Sequence, residues 1–314
     1  MSNEVMFMKS FGYKKFGGPE VFEEINSAEP EITKDNQVII ATLSVGLNNF
    51  ERSQRAGNFG GDKFPIIPGR DVVGKVIEVG ADVNTVEPDD IVIGHAGPAY
   101  ADKVKLATRR LIKKPAGVSN QAAVSIITPG ITAYNAVSYF THVKSGDTVL
   151  VNGATGGVGS IAVQVAKKLG AHVIGVGSSR NEAMMETLGV DEVGLYNQEN
   201  INEKFANQAD VVINAALDGS NPSLISDVIK DGGQSASVGA APDLSAKPNA
   251  TFEHVKPIDA KHDQIALQKL ADMLADGSLN VKIFKELSLT LAGVIEGHQL
   301  LEQHHAPGRI ILVK

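Results

Sequence analysis

One stretch, Gly153-Ala-Thr-Gly-Gly-Val-Gly159, constrains this chain more than any other. It follows Thr148 to Asn152, which reads as a buried strand, and it opens a helix over 157–169 with Ile161, Val165 and Leu169 at helical spacing. Val173 to Gly177 reads as a second strand. Strand, glycine turn, helix and strand is the context that a dinucleotide-binding fingerprint requires. Glycine permits the tight turn and leaves no side chain where a pyrophosphate must approach. Orphan amides at the helix start then donate to the phosphates. The spaced glycines are Gly153, Gly156 and Gly159, and either Gly156 or Gly157 makes the closest approach. The bland reading is a turn that only lets helix and sheet pack closely.

The second strand runs into Gly177-Ser178-Ser179-Arg180, with no acid before Glu182. A site for NAD usually places an acid here, on the ribose hydroxyls. Small hydroxyls with an arginine suit a 2'-phosphate instead, since guanidinium matches phosphate geometry. The expected cofactor is therefore NADP(H). The alternative use of these residues is to cap the helix near Met184, with Arg180 in solvent.

A chain of 314 residues is too long for one ordinary core and points to two domains. Before Pro115 it carries many short strands broken by Gly and Pro: Val5 to Tyr13, Gln37 to Val45, Asp71 to Val79, Ile91 to Gly94, Lys103 to Leu106 and Leu111 to Lys113. Asn48 to Arg55 reads as a short helix. This part is β-rich, a barrel or a sandwich. After Pro115, helices alternate with the strands Thr148 to Asn152, Val173 to Gly177, Asp210 to Asn214 and Gln234 to Val238, which argues for a parallel sheet covered on both faces. A helix over His262 to Ala275, the segment Leu287 to Thr290, a helix over Ala292 to Gln303 and a strand over Arg309 to Val313 make a tail that is free to return to the first domain.

Net charge is -7 and no basic block occurs, which disfavours a nucleic-acid partner. Cysteine is absent, so disulfides, thiolate zinc sites and cysteine nucleophiles are excluded, and a reducing cytoplasm is the expected compartment. Met1 to Phe11 lacks the apolar run of a signal peptide, and no apolar run reaches the ~18 residues that span a membrane. His304 and His305 are adjacent, a poor geometry for one metal, and no His-x-x-x-His or His-Glu-x-x-His cluster occurs. No metal is expected.

Several further segments carry a resemblance. Gly17-Gly-Pro-Glu-Val21, Val45-Gly-Leu-Asn-Asn-Phe-Glu51, Pro68-Gly-Arg-Asp-Val-Val-Gly74, Thr128-Pro-Gly-Ile-Thr-Ala-Tyr134, Val143-Lys-Ser-Gly-Asp147 and Pro307-Gly-Arg-Ile310 join the glycine cradle. Together the chain resembles the zinc-independent quinone oxidoreductase family of the medium-chain dehydrogenase/reductase superfamily. The resemblance implies an α/β chain in which a doubly wound Rossmann sheet is inserted into a GroES-like β-rich catalytic domain. Expected boundaries are 1–125 for the catalytic domain, 126–260 for the NADP-binding domain, and 261–314 for a segment completing the sheet and returning to the catalytic domain. The implied reaction is NADPH-dependent reduction of quinones or of α,β-unsaturated carbonyl compounds by direct hydride transfer. The partner is a small molecule. The implied assembly is a homodimer joined through the Rossmann sheet edge, here near Thr251 to Ile258.

Asn48, Phe59 and Thr128 are the expected catalytic residues. Asn48 orients substrate or nicotinamide, and its bland role is a turn residue bonding its own backbone. Phe59 stands near where relatives often carry a tyrosine, and without the resemblance it reads as wall or core. The residues expected against the cofactor are Asn48, Thr128, Ala154, Thr155, Gly156, Gly157, Val158, Gly159, Ser178, Ser179, Arg180, Tyr196, Asn214, Ala215, Val238, Gly239 and Arg309. Zinc-dependent relatives use a histidine where this chain has Arg70, which is expected in an ion pair or supporting the pocket. Two other functions remain open: an enoyl-thioester or aldehyde-class reductase on the same scaffold, and a non-catalytic NADPH-binding protein.

Overall fold

The computed structural model describes residues 5–61, 63–217, 221–303 and 307–314. The chain divides into two compact units. One comprises residues 1–128, 263–275 and 282–314, and the other 129–262 and 276–281.

The first unit opens with β1 (Phe7–Tyr13) and β2 (Phe22–Ala28), an antiparallel pair. Then come β3 (Gln37–Gly46), α1 (Asn49–Arg55), β4 (Asp71–Val79), β5 (Ile91–His95), β6 (Lys103–Ala107), β7 (Leu111–Lys113) and α2 (Asn120–Ser125). Branched residues fill these strands because they pack well on a pleated, half-buried surface. Val38, Ile40, Val45, Val72, Val76, Val92, Val104 and Leu106 share one buried core. β2 went unread in the sequence: its apolar Phe22 and Ile25 are three residues apart, so the alternation that signals a strand is missing.

The second unit starts within α3 (Thr128–Asn135) and contains β8 (Thr148–Asn152), α4 (Gly159–Lys168), β9 (His172–Gly177), α5 (Glu182–Thr187), β10 (Glu192–Leu195), α6 (Ile201–Lys204), β11 (Ala209–Asn214), α7 (Leu224–Val228), β12 (Ile229–Ser237) and β13 (Thr251–His254). Its six strands are parallel in the order β10-β9-β8-β11-β12-β13. The order reverses between β8 and β11, so a switch point lies at their carboxyl ends, where open α/β sheets bind ligands. Leu150, Ile174 and Val212, with no exposure, stack along the centre of the sheet. This is a Rossmann-type sheet, and in sequence it interrupts a β-rich first unit, as the resemblance implied.

The chain then crosses back through α8 (Ala260–Ala275) and continues as β14 (Ile283–Ser288), α9 (Leu291–Glu302) and β15 (Arg309–Val313). β15 pairs antiparallel with β3, giving a seven-stranded sheet in the order β14-β15-β3-β4-β5-β7 with β6 also on β3. The tail therefore completes the first unit. Among the described residues no helix is long and apolar enough to cross a membrane.

Candidate functional site

The cradle is built by its own backbone. Gly153 follows β8 at φ +78°, a left-handed conformation that disfavours any residue with a Cβ, and its N–H donates to Val176 O at 3.0 Å. Gly156 N–H donates back to Gly153 O at 3.0 Å, closing the turn. A Cβ on Gly159 would meet Gly153 O at 2.1 Å, so only glycine lets α4 start against the turn. A Cβ on Gly156 would meet only Gly153 O, at 3.4 Å; beyond that atom it faces open space. The two glycines thus differ: Gly159 closes the fold, and Gly156 leaves room for a ligand. The helix itself begins at Gly159 rather than at Gly157, and Gly157 and Val158 belong to the loop. Amides in the first turn of such a helix lack helical partners and face a phosphate readily. Ala154 and Thr155 are buried beside it.

Three carboxyl-end side chains hold the strands across the switch point. Asn152 Nδ2 donates to Asn214 Oδ1 at 2.9 Å, and Asn214 Nδ2 donates to Ser237 Oγ at 2.8 Å. Ser237 Oγ also accepts from Gly239 N–H at 2.9 Å, and Asn214 Oδ1 from Ala216 N–H at 3.3 Å. This ladder fixes the turns that carry Ala215, Val238 and Gly239. Asn152 and Ser237 were not singled out in the sequence, because nothing local distinguishes a polar residue ending a strand.

Beyond β9, Ser178 is buried, Ser179 half-buried and Arg180 exposed. Asn181 Nδ2 donates to Thr155 Oγ1 at 3.2 Å, tying this turn to the cradle. Tyr196, 59% exposed, follows β10, and its N–H donates to Gly177 O at 3.1 Å. Ala154, Thr155, Gly156 to Gly159, Ser178 to Arg180, Tyr196, Asn214, Ala215, Val238 and Gly239 all lie in this second unit. A concentration of glycine turn, hydroxyls and one exposed guanidinium fits a dinucleotide.

The remaining expected residues lie in the first unit, and Asn48, Thr128 and Arg309 converge on Asp71, which has no exposure. Asn48 Nδ2 donates to Asp71 Oδ2 at 2.9 Å. Thr128 N–H donates to Asp71 Oδ2 at 3.1 Å, and its Oγ1 to Asp71 Oδ1 at 2.5 Å. Arg309 Nη2 donates to Asn48 Oδ1 at 3.0 Å and lies 3.7 Å from Asp71 Oδ2. Thr128 Oγ1 is also 3.4 Å from His95 Nε2, while His95 Nδ1 is 3.2 Å from Asp263 Oδ2.

Asn48 is the N-cap of α1, and Glu51, three residues on, accepts its backbone N–H at 3.1 Å. Glu51 is 1% exposed. Burial, and then the neighbouring Asp71, push its carboxyl up to about 8, against the smaller opposing pull of Arg70 and Arg309. Burial likewise lowers Arg309, partly offset by Asp71 and Glu51. Asp71 and Glu51 were missed as site residues. Each stands inside a quoted segment, but the partners that make it a hub are distant in sequence. Phe59 bonds to none of these groups. It is 59% exposed and stacks on Phe50 at 4.9 Å, with Arg70 3.6 Å from the Phe50 ring centre and 3.8 Å from Glu51.

Among the described residues, no donor set of the kind a catalytic zinc takes is assembled. Such a site needs three protein ligands. Among the described residues no group of three or more His, Asp or Glu could hold a metal ion, and cysteine is absent. His304 and His305 lie outside the described residues.

Two family models match the chain: "Alcohol dehydrogenase GroES-like domain" over residues 34–130 and "Zinc-binding dehydrogenase" over residues 157–264. The chain is similar to a quinone oxidoreductase of Pongo abelii, 29% identical over 263 residues, covering 80% of this chain and 79% of that one. It is similar to an NADPH-dependent alkenal/one oxidoreductase of Arabidopsis thaliana, 27% identical over 320 residues, covering 97% of this chain and 79% of that one. Its fold matches the solved quinone oxidoreductase of Coxiella burnetii with a TM-score of 0.88 at 28% identity, over 98% of this chain and 100% of that one.

Proposed function

Because the chain belongs to the quinone oxidoreductase family of the medium-chain dehydrogenase/reductase superfamily, we propose that it uses NADPH to reduce quinones or activated α,β-unsaturated carbonyl compounds, without zinc. Oxidoreductase activity follows from the family. The narrower claims rest on this chain's own residues. The observation that carries them is the glycine cradle over 153–159, followed across the sheet by Ser178, Ser179 and Arg180 with no acid among them. A 2'-phosphate finds hydroxyl donors and a guanidinium there, where a ribose diol would want a carboxylate. The name of the Arabidopsis thaliana relative supports the same cofactor.

Bound NADPH supplies a hydride to an electrophilic carbon. Gly156 leaves space for the pyrophosphate, and the first-turn amides of α4 neutralise it. Asn48, held at both ends of its amide by Asp71 and Arg309, presents a fixed dipole. Its second N–H remains to orient a carbonyl or carboxamide oxygen. Thr128 is fixed by the same carboxylate. Phe59 offers an exposed apolar face to a flat ring or alkene. Water protonates the charge left on oxygen. In this reading residues 1–125 form the catalytic domain, 126–260 the cofactor domain and 261–314 the completing segment, and the protein acts in the cytoplasm as a homodimer joined near β13, the edge strand of the parallel sheet.

The test is NADPH and NADH oxidation by chelator-treated protein against quinones, enones, enoyl thioesters and aldehydes. Turnover of quinones or enones, faster with NADPH, is expected. Tight NADPH binding without turnover of any substrate would favour a non-catalytic role, and turnover of thioesters or aldehydes alone would move the activity to that class.

A further inference from the structure

Asn197 follows β10, eighteen positions beyond Ser179 in sequence, yet the parallel register sets the two side by side. Leu195 is paired with Gly177, and two hydrogen bonds follow from that alignment. Ser179 N–H donates to Asn197 Oδ1 at 2.9 Å, and Asn197 Nδ2 donates to Ser179 Oγ at 2.9 Å. A backbone N–H can only donate, so it fixes which end of the Asn197 amide is oxygen. The nitrogen must then face the serine, and the Ser179 oxygen must accept. A hydroxyl has one hydrogen, and here that hydrogen remains for another acceptor. The turn holding it is anchored to the cradle through Asn181 and Thr155 and carries the exposed Arg180.

We propose that Asn197 is a specificity-determining positioning residue: it holds the Ser179 hydroxyl as a donor for the 2'-phosphate of an adenosine ribose. This rests on the NADPH reading and deepens it. An aspartate at 197 would still accept the Ser179 N–H but would also accept the hydroxyl hydrogen. That would consume the donor and set a negative charge beside the phosphate, an arrangement suited to free ribose hydroxyls. Arg180 supplies charge whatever stands at 197; Asn197 sets the direction of the neighbouring hydroxyl.

Calorimetric titration with adenosine 2',5'-bisphosphate and with AMP isolates this effect from catalysis. The wild-type protein is expected to favour the bisphosphate. Asn197→Asp should lose that preference by about 10-fold or more, as expected for losing a hydrogen bond to a charged group and adding like charge, with AMP affinity nearly unchanged. Asn197→Ala, which frees the hydroxyl without adding charge, should fall between. Melting curves establish that each variant is folded. A wild-type ratio retained in folded Asn197→Asp, or in Asn197→Ala should the aspartate variant not fold, overturns the role of Asn197 and leaves the NADPH reading standing. A wild-type protein with no preference for the bisphosphate overturns both.

Discussion

Burial beside Asp71 leaves Glu51 protonated near neutral pH, with its carboxyl pushed up to about 8 from 4.5. A raised folded-state value means that the folded protein holds this proton more tightly than the unfolded chain. The stabilisation is therefore complete below about 4.5 and is lost as pH rises through about 8. Glu51→Gln keeps an acceptor for the Asn48 N–H and removes the titration. Thermal melts across that window should show the wild-type Tm falling relative to the variant's, by on the order of 5 °C. Parallel curves would mean that Glu51 is ionised throughout. The hub also shows what a sequence conceals at this scale. Asn48 and Thr128 could be chosen from their segments, and Arg309 from its motif. That all three converge on one buried carboxylate depends on Asn48, Thr128 and the strands β4 and β15 meeting within the first unit, which no local pattern encodes.

At the scale of elements, the loop between β8 and α4 separates two uses of glycine. Gly159→Val would drive side-chain carbon into Gly153 O, a backbone atom that cannot step aside, so stability should fall by about 1–3 kcal/mol with cofactor binding. Gly156→Val meets no such obstacle within the protein, so it should fold nearly normally while losing NADPH affinity. Denaturation and binding measured on both variants check this. Equal stability losses, or unchanged affinity in folded Gly156→Val, would contradict the division of roles. This loop was legible because its constraint is local: a turn, a close approach and a helix start compressed into seven residues. The strand β10 was not read, and β13 was placed only as the sheet edge that the resemblance implied. Thr251-Phe-Glu-His254 is half-buried only at Phe252, so it carries no apolar alternation, and its strand character comes entirely from pairing with β12. β14, largely exposed, was read only at its end for the same reason.

For the whole molecule, the sequence indicated an early β-rich part, a later alternating part and a tail free to return, and β15 does return to pair with β3. The long-range pairing was legible only as a possibility, because strand partners are chosen by the fold rather than by their neighbours in sequence. The central claim is direct, metal-free hydride transfer from NADPH to a carbon conjugated with a carbonyl. It is tested most directly by giving the chelated protein NADPH deuterated at C4 of the nicotinamide on its transferable face, with a simple enone, and reading the product by NMR. Deuterium on the β-carbon, in undiminished yield after chelation, is the expected result. Product without deuterium at that carbon, or product formed only when zinc is restored, would contradict the account.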